Sequence, residues 1–294
     1  MDRQELVNKV LHVKSWQRGG TRAPHKPLLL LYAIAKFLSG QDQIAYAEAE
    51  EDLRNLLADF GPWRKVYRPF EPFWRLQKDG LWEVASSSPF MEDSSGGVSR
   101  QALLQKNAHG CLTKEIKTLL HKQPDFVQNI IEEILNANFP ETIHEDILQA
   151  IGIDFQEVGH GIKRRKRCPK FREKVLQAYD YRCAVCGFDV RLGHTPIALE
   201  AAHIKWHQAG GPDTEKNSLA LCALHHKLFD RGAFTLSDTL EVLVSDRANG
   251  YHGFREWLLQ YQGERIRHPQ RSQYSPDFQF VSWHTNEVFM GSVR

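Results

Sequence analysis

Cys183-Ala184-Val185-Cys186-Gly187, then Leu199-Glu200-Ala201-Ala202-His203-Ile204, then Asn217-Ser218-Leu219-Ala220-Leu221-Cys222-Ala223-Leu224-His225-His226 is the text that decides the second half of this chain. Cys183 and Cys186 stand two residues apart before a glycine, a spacing that lets two thiolates point at one tetrahedral ion. Cys222 and His225 repeat that spacing. Two matched pairs read as a closed structural zinc site of Cys183, Cys186, Cys222 and His225. The other two of the five cysteines, Cys111 and Cys168, lack such partners and read as structural thiols. This usage fits metal binding in a reducing compartment better than a disulfide framework.

Between and beside these ligands lie His203, Asn217 and His226. With Gly210-Gly211-Pro212 and His225-His226-Lys227-Leu228-Phe229-Asp230-Arg231-Gly232, the stretch 168–240 resembles the HNH, or ββα-metal, nucleases, and among them the McrA-like restriction branch. The resemblance implies His203 as general base, Asn217 as the residue that fixes the loop and the imidazole, and His226 as ligand of a catalytic divalent cation, Mg²⁺ or Mn²⁺. His225 would face the zinc instead, because consecutive helical residues point about 100° apart at 3.6 residues per turn. One departure stands out. Many HNH enzymes carry an aspartate directly before the first histidine, as a metal ligand, and here that residue is Ala202. Glu200, on the same strand face as Ala202, or Asp230 is then the candidate for the missing carboxylate.

Working outward, Phe171–Tyr179 reads as a helix leading into the first cysteine pair, Pro196–Ile204 as a short strand, and Leu219–Phe229 as a helix. Upstream, Gly159-His160-Gly161 and the basic run Lys163-Arg164-Arg165-Lys166-Arg167 mark a boundary. Lys170, Arg172 and Lys174 continue that run, which suits phosphate contacts as well as a solvated linker. Apolar positions Leu6, Val7, Val10 and Leu11 have helical spacing. Pro27 opens a buried helix over Leu28–Leu38, and Glu48–Phe60 is a helix stopped by Gly61-Pro62. Phe73–Leu76 and Leu81–Val84 flank Lys78-Asp79-Gly80 as a hairpin. Further helices are expected at Ser99–Lys106, Pro124–Asn136 and Glu141–Ala150, while Trp283-His284 near the end reads as packing against the nuclease domain. The fold class is therefore α+β: a mainly helical N-terminal domain with a small β-hairpin (1–155), a basic linker (156–170), and a C-terminal HNH domain with a zinc knuckle (171–294).

A bare HNH fold has little sequence preference, so target choice falls to the first 155 residues. Trp16-Gln17-Arg18-Gly19, Arg22-Ala23-Pro24-His25-Lys26-Pro27, Glu71-Pro72-Phe73-Trp74-Arg75-Leu76 and Val98-Ser99-Arg100 resemble the sulfur-binding domains of phosphorothioate-dependent restriction enzymes. In a phosphorothioate, sulfur replaces one non-bridging oxygen and is larger and less strongly hydrated. A site preferring it sets an apolar wall beside cationic donors. Pro72 and Phe73 are expected to form the wall, with either Phe73 or Trp74 near the ligand. Arg18, His25, Lys26 and Arg100 are expected to hold the remaining oxygen and neighbouring groups.

The resemblance as a whole implies a modification-dependent, type IV-like restriction endonuclease acting on phosphorothioated double-stranded DNA. Two alternatives stay open: an HNH endonuclease reading a methylated or hydroxymethylated base flipped into an aromatic cage, and a non-catalytic, zinc-stabilised DNA-binding protein. A palindromic modified site would favour a homodimer. The net charge of +2 excludes nothing. No apolar run approaches the roughly 20 residues of a membrane span, and Met1-Asp2-Arg3-Gln4-Glu5 is too polar for a signal peptide; both point to the cytoplasm.

Overall fold

The computed structural model describes residues 1–13, 24–153 and 169–293. It divides into two compact units: Met1–Phe139 with His144–Ile162, and Pro140–Ile143 with Lys163–Arg294. Helix dominates the first unit, and several small antiparallel sheets run through the second. Among the described residues no helix is long and apolar enough to cross a membrane.

The first unit comprises α1 (Arg3–Leu11), α2 (His25–Leu38), β1 (Ile44–Ala45), α3 (Tyr46–Phe60), α4 (Phe70–Arg75), β2 (Trp82–Ala85), α5 (Arg100–Gln105), β3 (His109–Leu112), α6 (Lys114–Lys122), α7 (Pro124–Asn138) and α8 (His144–Ala150). Helix α2 is apolar on every side, and a helix of that kind belongs in a core. Leu28, Leu29, Leu30 and Leu31 are all buried there, with α3, α4, α7 and β3 around them. The sheet is three-stranded, in the order β1-β3-β2.

The hairpin expected across Lys78-Asp79-Gly80 does not form. Phe73 to Arg75 belong to helix α4, Leu76–Asp79 is a 3-10 turn, and β2 pairs with β3 instead, Val84 opposite Gly110. Gly110 leaves room for the pairing that forms. A Cβ there would sit 1.9 Å from Cζ2 of Trp82. The bare glycine lets the indole cross the strand and donate from Nε1 to the Phe73 carbonyl oxygen at 2.9 Å.

The second unit comprises α9 (Pro169–Ala178), β4 (Arg191–Leu192), β5 (Thr195–Pro196), β6 (Leu199–His203), β7 (Ser218–Cys222), α10 (Ala223–Asp230), β8 (Phe234–Leu236), β9 (Val242–Val244), α11 (His252–Trp257) and α12 (Phe278–Glu287). Strands β6 and β7 pair antiparallel, Leu199 opposite Cys222 and His203 opposite Ser218. Helix α10 packs on both, giving a ββα arrangement. Here too one expectation needs correction: Leu219–Cys222 is strand, and the helix begins only at Ala223. All five residues of β7 are buried, and a short fully buried apolar run suits strand and helix equally until pairing decides it. At the far end, His284 on α12 is fully buried, stacked on Phe229 at 3.7 Å and bridging Thr235 Oγ1 and the Phe229 carbonyl.

Candidate active site and DNA interface

The knuckle is built where β7 hands over to α10. Cys222 is the N-cap of that helix and His225 lies in its first turn. Cys183 and Cys186 come from the turn after α9, closed by the Gly187 N–H donating to the Cys183 carbonyl. One donor atom from each of Cys183, Cys186, Cys222 and His225 lies within 4.8 Å of all the others. Cys186 Sγ is 3.9 Å from Cys222 Sγ, and His225 Nδ1 is 3.2 Å from Cys222 Sγ. A tetrahedron with bonds of about 2.3 Å to sulfur has edges of roughly 3.8 Å, so the donor set fits a four-coordinate metal.

The electrostatics of the cluster agree. Hydrogen bonds from Cys186 and Cys222 pull the Cys183 thiol far down, while the same Cys183 pushes Cys222 far up. Three crowded thiols cannot all ionise unless a cation sits among them. Burial opposes a charge on His225, but the Cys183 and Cys186 sulfurs outweigh it and raise the imidazole to about 9. A residue that sequence reasoning missed completes this cluster. The Trp257 carbonyl accepts from His225 Nε2 at 3.0 Å, which leaves Nδ1 for the sulfurs' side. Such outer partners fix the tautomer of metal-ligating histidines.

His226, the next residue on α10, turns to different chemistry. Its Nδ1 lies 2.5 Å from Glu200 Oε2 on β6, and its Nε2 lies 3.2 Å from Asp230 Oδ2 one turn further on. The carboxylate sought for the Ala202 position is thus met by two candidates on opposite nitrogens of one ring. Ala202 itself is fully buried. The Glu200 side chain is 39% exposed and that of Asp230 only 2%, so the cluster opens on the Glu200 side and is closed behind. Burial opposes the His226 charge, yet Asp230 and Glu200 outweigh it and hold the imidazole up to about 9. Burial likewise opposes the Asp230 charge, but His226 and a hydrogen bond from the Thr142 hydroxyl keep it below the usual carboxylate range.

His203 ends β6. Its Nε2 is 2.8 Å from Asp213 Oδ1, and its ring stacks on Phe171 of α9 at 4.7 Å. Neither partner was legible beforehand. Asp213 arrives through the loop 204–217, and Asn217 ties that loop shut. The Asn217 amide is fully buried; Oδ1 accepts from the Lys205 N–H at 2.8 Å, and Nδ2 donates to the Lys205 and Pro212 carbonyls at 3.0 Å each. Gly211 allows this closure, because a Cβ there would lie 1.8 Å from the Lys205 carbonyl oxygen.

The expected sulfur site fares less evenly. Arg18 lies outside the described residues, as do the run Lys163–Arg167 and Cys168. Phe73 is fully buried, its ring edge-on to Tyr46 and Trp82, and Pro72 and Trp74 are buried beside it. The expected wall is therefore corrected: helix α4 buries Pro72, Phe73 and Trp74 together, where a strand with one of Phe73 and Trp74 facing the ligand is expected from sequence. Lys26 is drawn into a largely buried ion pair with Asp79 at 2.6 Å. Arg172 donates to the Leu199 carbonyl, which fixes α9 to β6. His25 opens α2 and is half-buried.

Arg100 remains half-exposed, held by the buried carboxylate of Glu50, which also pairs with Arg54. Around this pair lies a cavity of about 400 Å³ lined by Lys65, Tyr67, Arg68 and Phe70 as well. It sets four cationic side chains against one acid, and three of the four (Arg54, Lys65 and Arg68) carried no sequence signal beyond their charge.

The HNH endonuclease family model matches residues 183–237, the stretch that holds the ββα unit, the Cys₃His cluster and the residues His203, Asn217 and His226. The chain belongs to the family described as ScoMcrA-like, DNA sulfur-binding domain, whose model matches residues 3–156, over half of its length. It is a DNA-cleaving nuclease joined to a DNA sulfur-binding domain. No curated protein matches it. Among solved structures it is similar to the sulfur binding domain of ScoMcrA complexed with phosphorothioated DNA, at 20% identity over 52% of this chain and 98% of that one, with a TM-score of 0.45. A similar likeness holds to the sulfur binding domain of SprMcrA complexed with phosphorothioated DNA, at 22% identity over 54% and 98%, with a TM-score of 0.45. The type IV phosphorothioation-dependent restriction endonuclease ScoMcrA follows at 21% identity over 49% and 32%, with a TM-score of 0.42.

Proposed function

We propose that residues 1–155 bind phosphorothioated double-stranded DNA and that residues 171–294 hydrolyse phosphodiester bonds near the modified site, as a type IV-like restriction endonuclease in the cytoplasm. One observation carries the catalytic half of this reading. Successive side chains of α10 enter two different polar clusters, His225 among three sulfurs and His226 between two carboxylates. Soft sulfur donors in a closed set suit a structural zinc held by Cys183, Cys186, Cys222 and His225. Oxygen and imidazole donors with one open side suit Mg²⁺ or Mn²⁺ held by Glu200 and His226. Such a cation supplies positive charge for the phosphate and the leaving oxygen.

The chain's own residues do the rest. His203 takes the proton from the attacking water. Asp213 orients its ring and stabilises the imidazolium that forms. Asn217 keeps Asp213 beneath His203 by closing the loop. Asp230 holds His226 from behind.

For recognition, the cradle of Arg54, Lys65, Arg68 and Arg100 takes the backbone charge, with Arg18 and His25 contributing from the start of α2 and the segment before it. Tyr67 and Phe70 supply the apolar surface beside these cations that Phe73 does not. The test uses the full chain with Mn²⁺ and matched duplexes that carry sulfur, a methylated base or neither. Cleavage of the sulfur duplex alone is expected, and its loss in Arg100→Ala together with the loss of sulfur-duplex binding, while the Mn²⁺ affinity of the chain is retained. Equal cutting of all three, or preference for the methylated duplex, overturns the sulfur reading.

A further inference from the structure

The 3-10 turn Glu141–Ile143 follows α7 and precedes α8, both of the first unit, yet it packs with the second, against α10. Its central residue, Thr142, donates its hydroxyl to Oδ2 of Asp230, 88 residues downstream. That same oxygen faces His226 Nε2. The Asp230 side chain is 2% exposed, so water cannot replace a missing donor at low cost.

We infer that Thr142 is a positioning residue of the catalytic cation site. Its hydroxyl fixes the Asp230 carboxylate, Asp230 takes the Nε2–H of His226, and His226 is thereby turned so that Nδ1 faces the cation beside Glu200. The inference rests on the reading of Glu200 and His226 as cation ligands. The geometry has three parts that serve this end. Threonine is β-branched, so its χ1 is stiff and its hydroxyl stays aimed. Asp230 sits one helical turn from His226, the spacing at which side chains of a helix meet. Glu200 approaches the ring from the opposite nitrogen. A carboxylate behind a metal-bound histidine sets both the tautomer and the basicity of the ligating nitrogen.

The experiment measures Mn²⁺ binding to the full chain without DNA, by electron paramagnetic resonance of free Mn²⁺, at a temperature where circular dichroism shows every variant folded. Thr142→Val keeps the shape and removes the donor; it should weaken Mn²⁺ roughly tenfold, the lower end of what losing an outer partner costs. Thr142→Ser restores the donor and should restore the affinity. A merely structural threonine would lower the melting temperature of the valine variant and leave Mn²⁺ affinity where it was, and that result overturns the inference. Should valine not fold, Thr142→Ala carries the same test. His226→Ala separates the two levels. If it too leaves Mn²⁺ binding intact, the cation-site reading falls and the inference with it. If it abolishes binding while Thr142→Val and Thr142→Ala do not weaken it, only the inference falls.

Discussion

Replacing Asn217 with alanine should open the loop 204–217 without unfolding the chain. The side chain makes three hydrogen bonds from a fully buried position, one accepted from the Lys205 N–H and two donated, to the Lys205 and Pro212 carbonyls. At a net worth of about 1 kcal/mol each, they amount to roughly 3 kcal/mol, and the orphaned backbone groups they leave behind push the cost upward. That is about a hundredfold in the local opening equilibrium. The assay is amide hydrogen exchange at Lys205, whose N–H has Asn217 Oδ1 as its partner. Protection there should fall by about two orders of magnitude. Cleavage should fall with it, because Asp213 follows Pro212 in the chain and loses its place against His203. Asn217→Asp sharpens the argument. It keeps the acceptor for Lys205 but turns an oxygen toward two carbonyl oxygens, so it should lose activity despite its shape. Unchanged Lys205 protection in Asn217→Ala, or full cleavage by Asn217→Asp, would refute this account of the loop.

Three further outcomes are expected. The His226 imidazole, held up to about 9 by its two carboxylates, must lose its proton to bind a cation. Apparent Mn²⁺ affinity should therefore rise about tenfold per pH unit from near 7 and level off above 9. The stability this group gives the cation-free protein runs the other way, being full below its unfolded value near 6.5 and lost as pH rises through 9; pH-independent Mn²⁺ titrations would contradict both. Metal analysis should find about one tightly bound zinc per chain, and Cys222→Ser should unfold the second unit, since ligation there is folding energy. Gly110→Ala should lower the first unit's unfolding temperature, because its Cβ would overlap Trp82; overpacking of this kind costs about 1–3 kcal/mol or more, and sulfur-duplex binding should weaken while zinc content does not.

What the sequence carried divides along physical lines. The four sulfur and imidazole donors were legible because their partners lie close in the chain and the spacing itself encodes geometry. Helices α2 and α3 were legible because their apolar pattern and their stop at Gly61 act locally. Strand β7 was not, since Leu219-Ala220-Leu221 suits either period and only pairing with β6 settles it. Lys26 looked like a phosphate ligand until a tertiary contact placed Asp79 against it. Asp213 and Thr142 had no local signal at all. One is set by a loop closure four residues away and the other by a helix residue 88 positions downstream.

The adjacency of His225 and His226 has a consequence for timing. Helix α10 is only eight residues long, too short to persist on its own, and Cys222 and His225 pin its first turn to the knuckle. On the proposed reading, a knuckle without its metal would leave His226 with no fixed direction in which to offer a nitrogen. Such a chain would be inert whatever the surrounding magnesium and would become a cutter only after a scarcer metal had arrived. Two ions of very different abundance would then load in sequence, and the delay between synthesis and activity would be written into eight residues of helix.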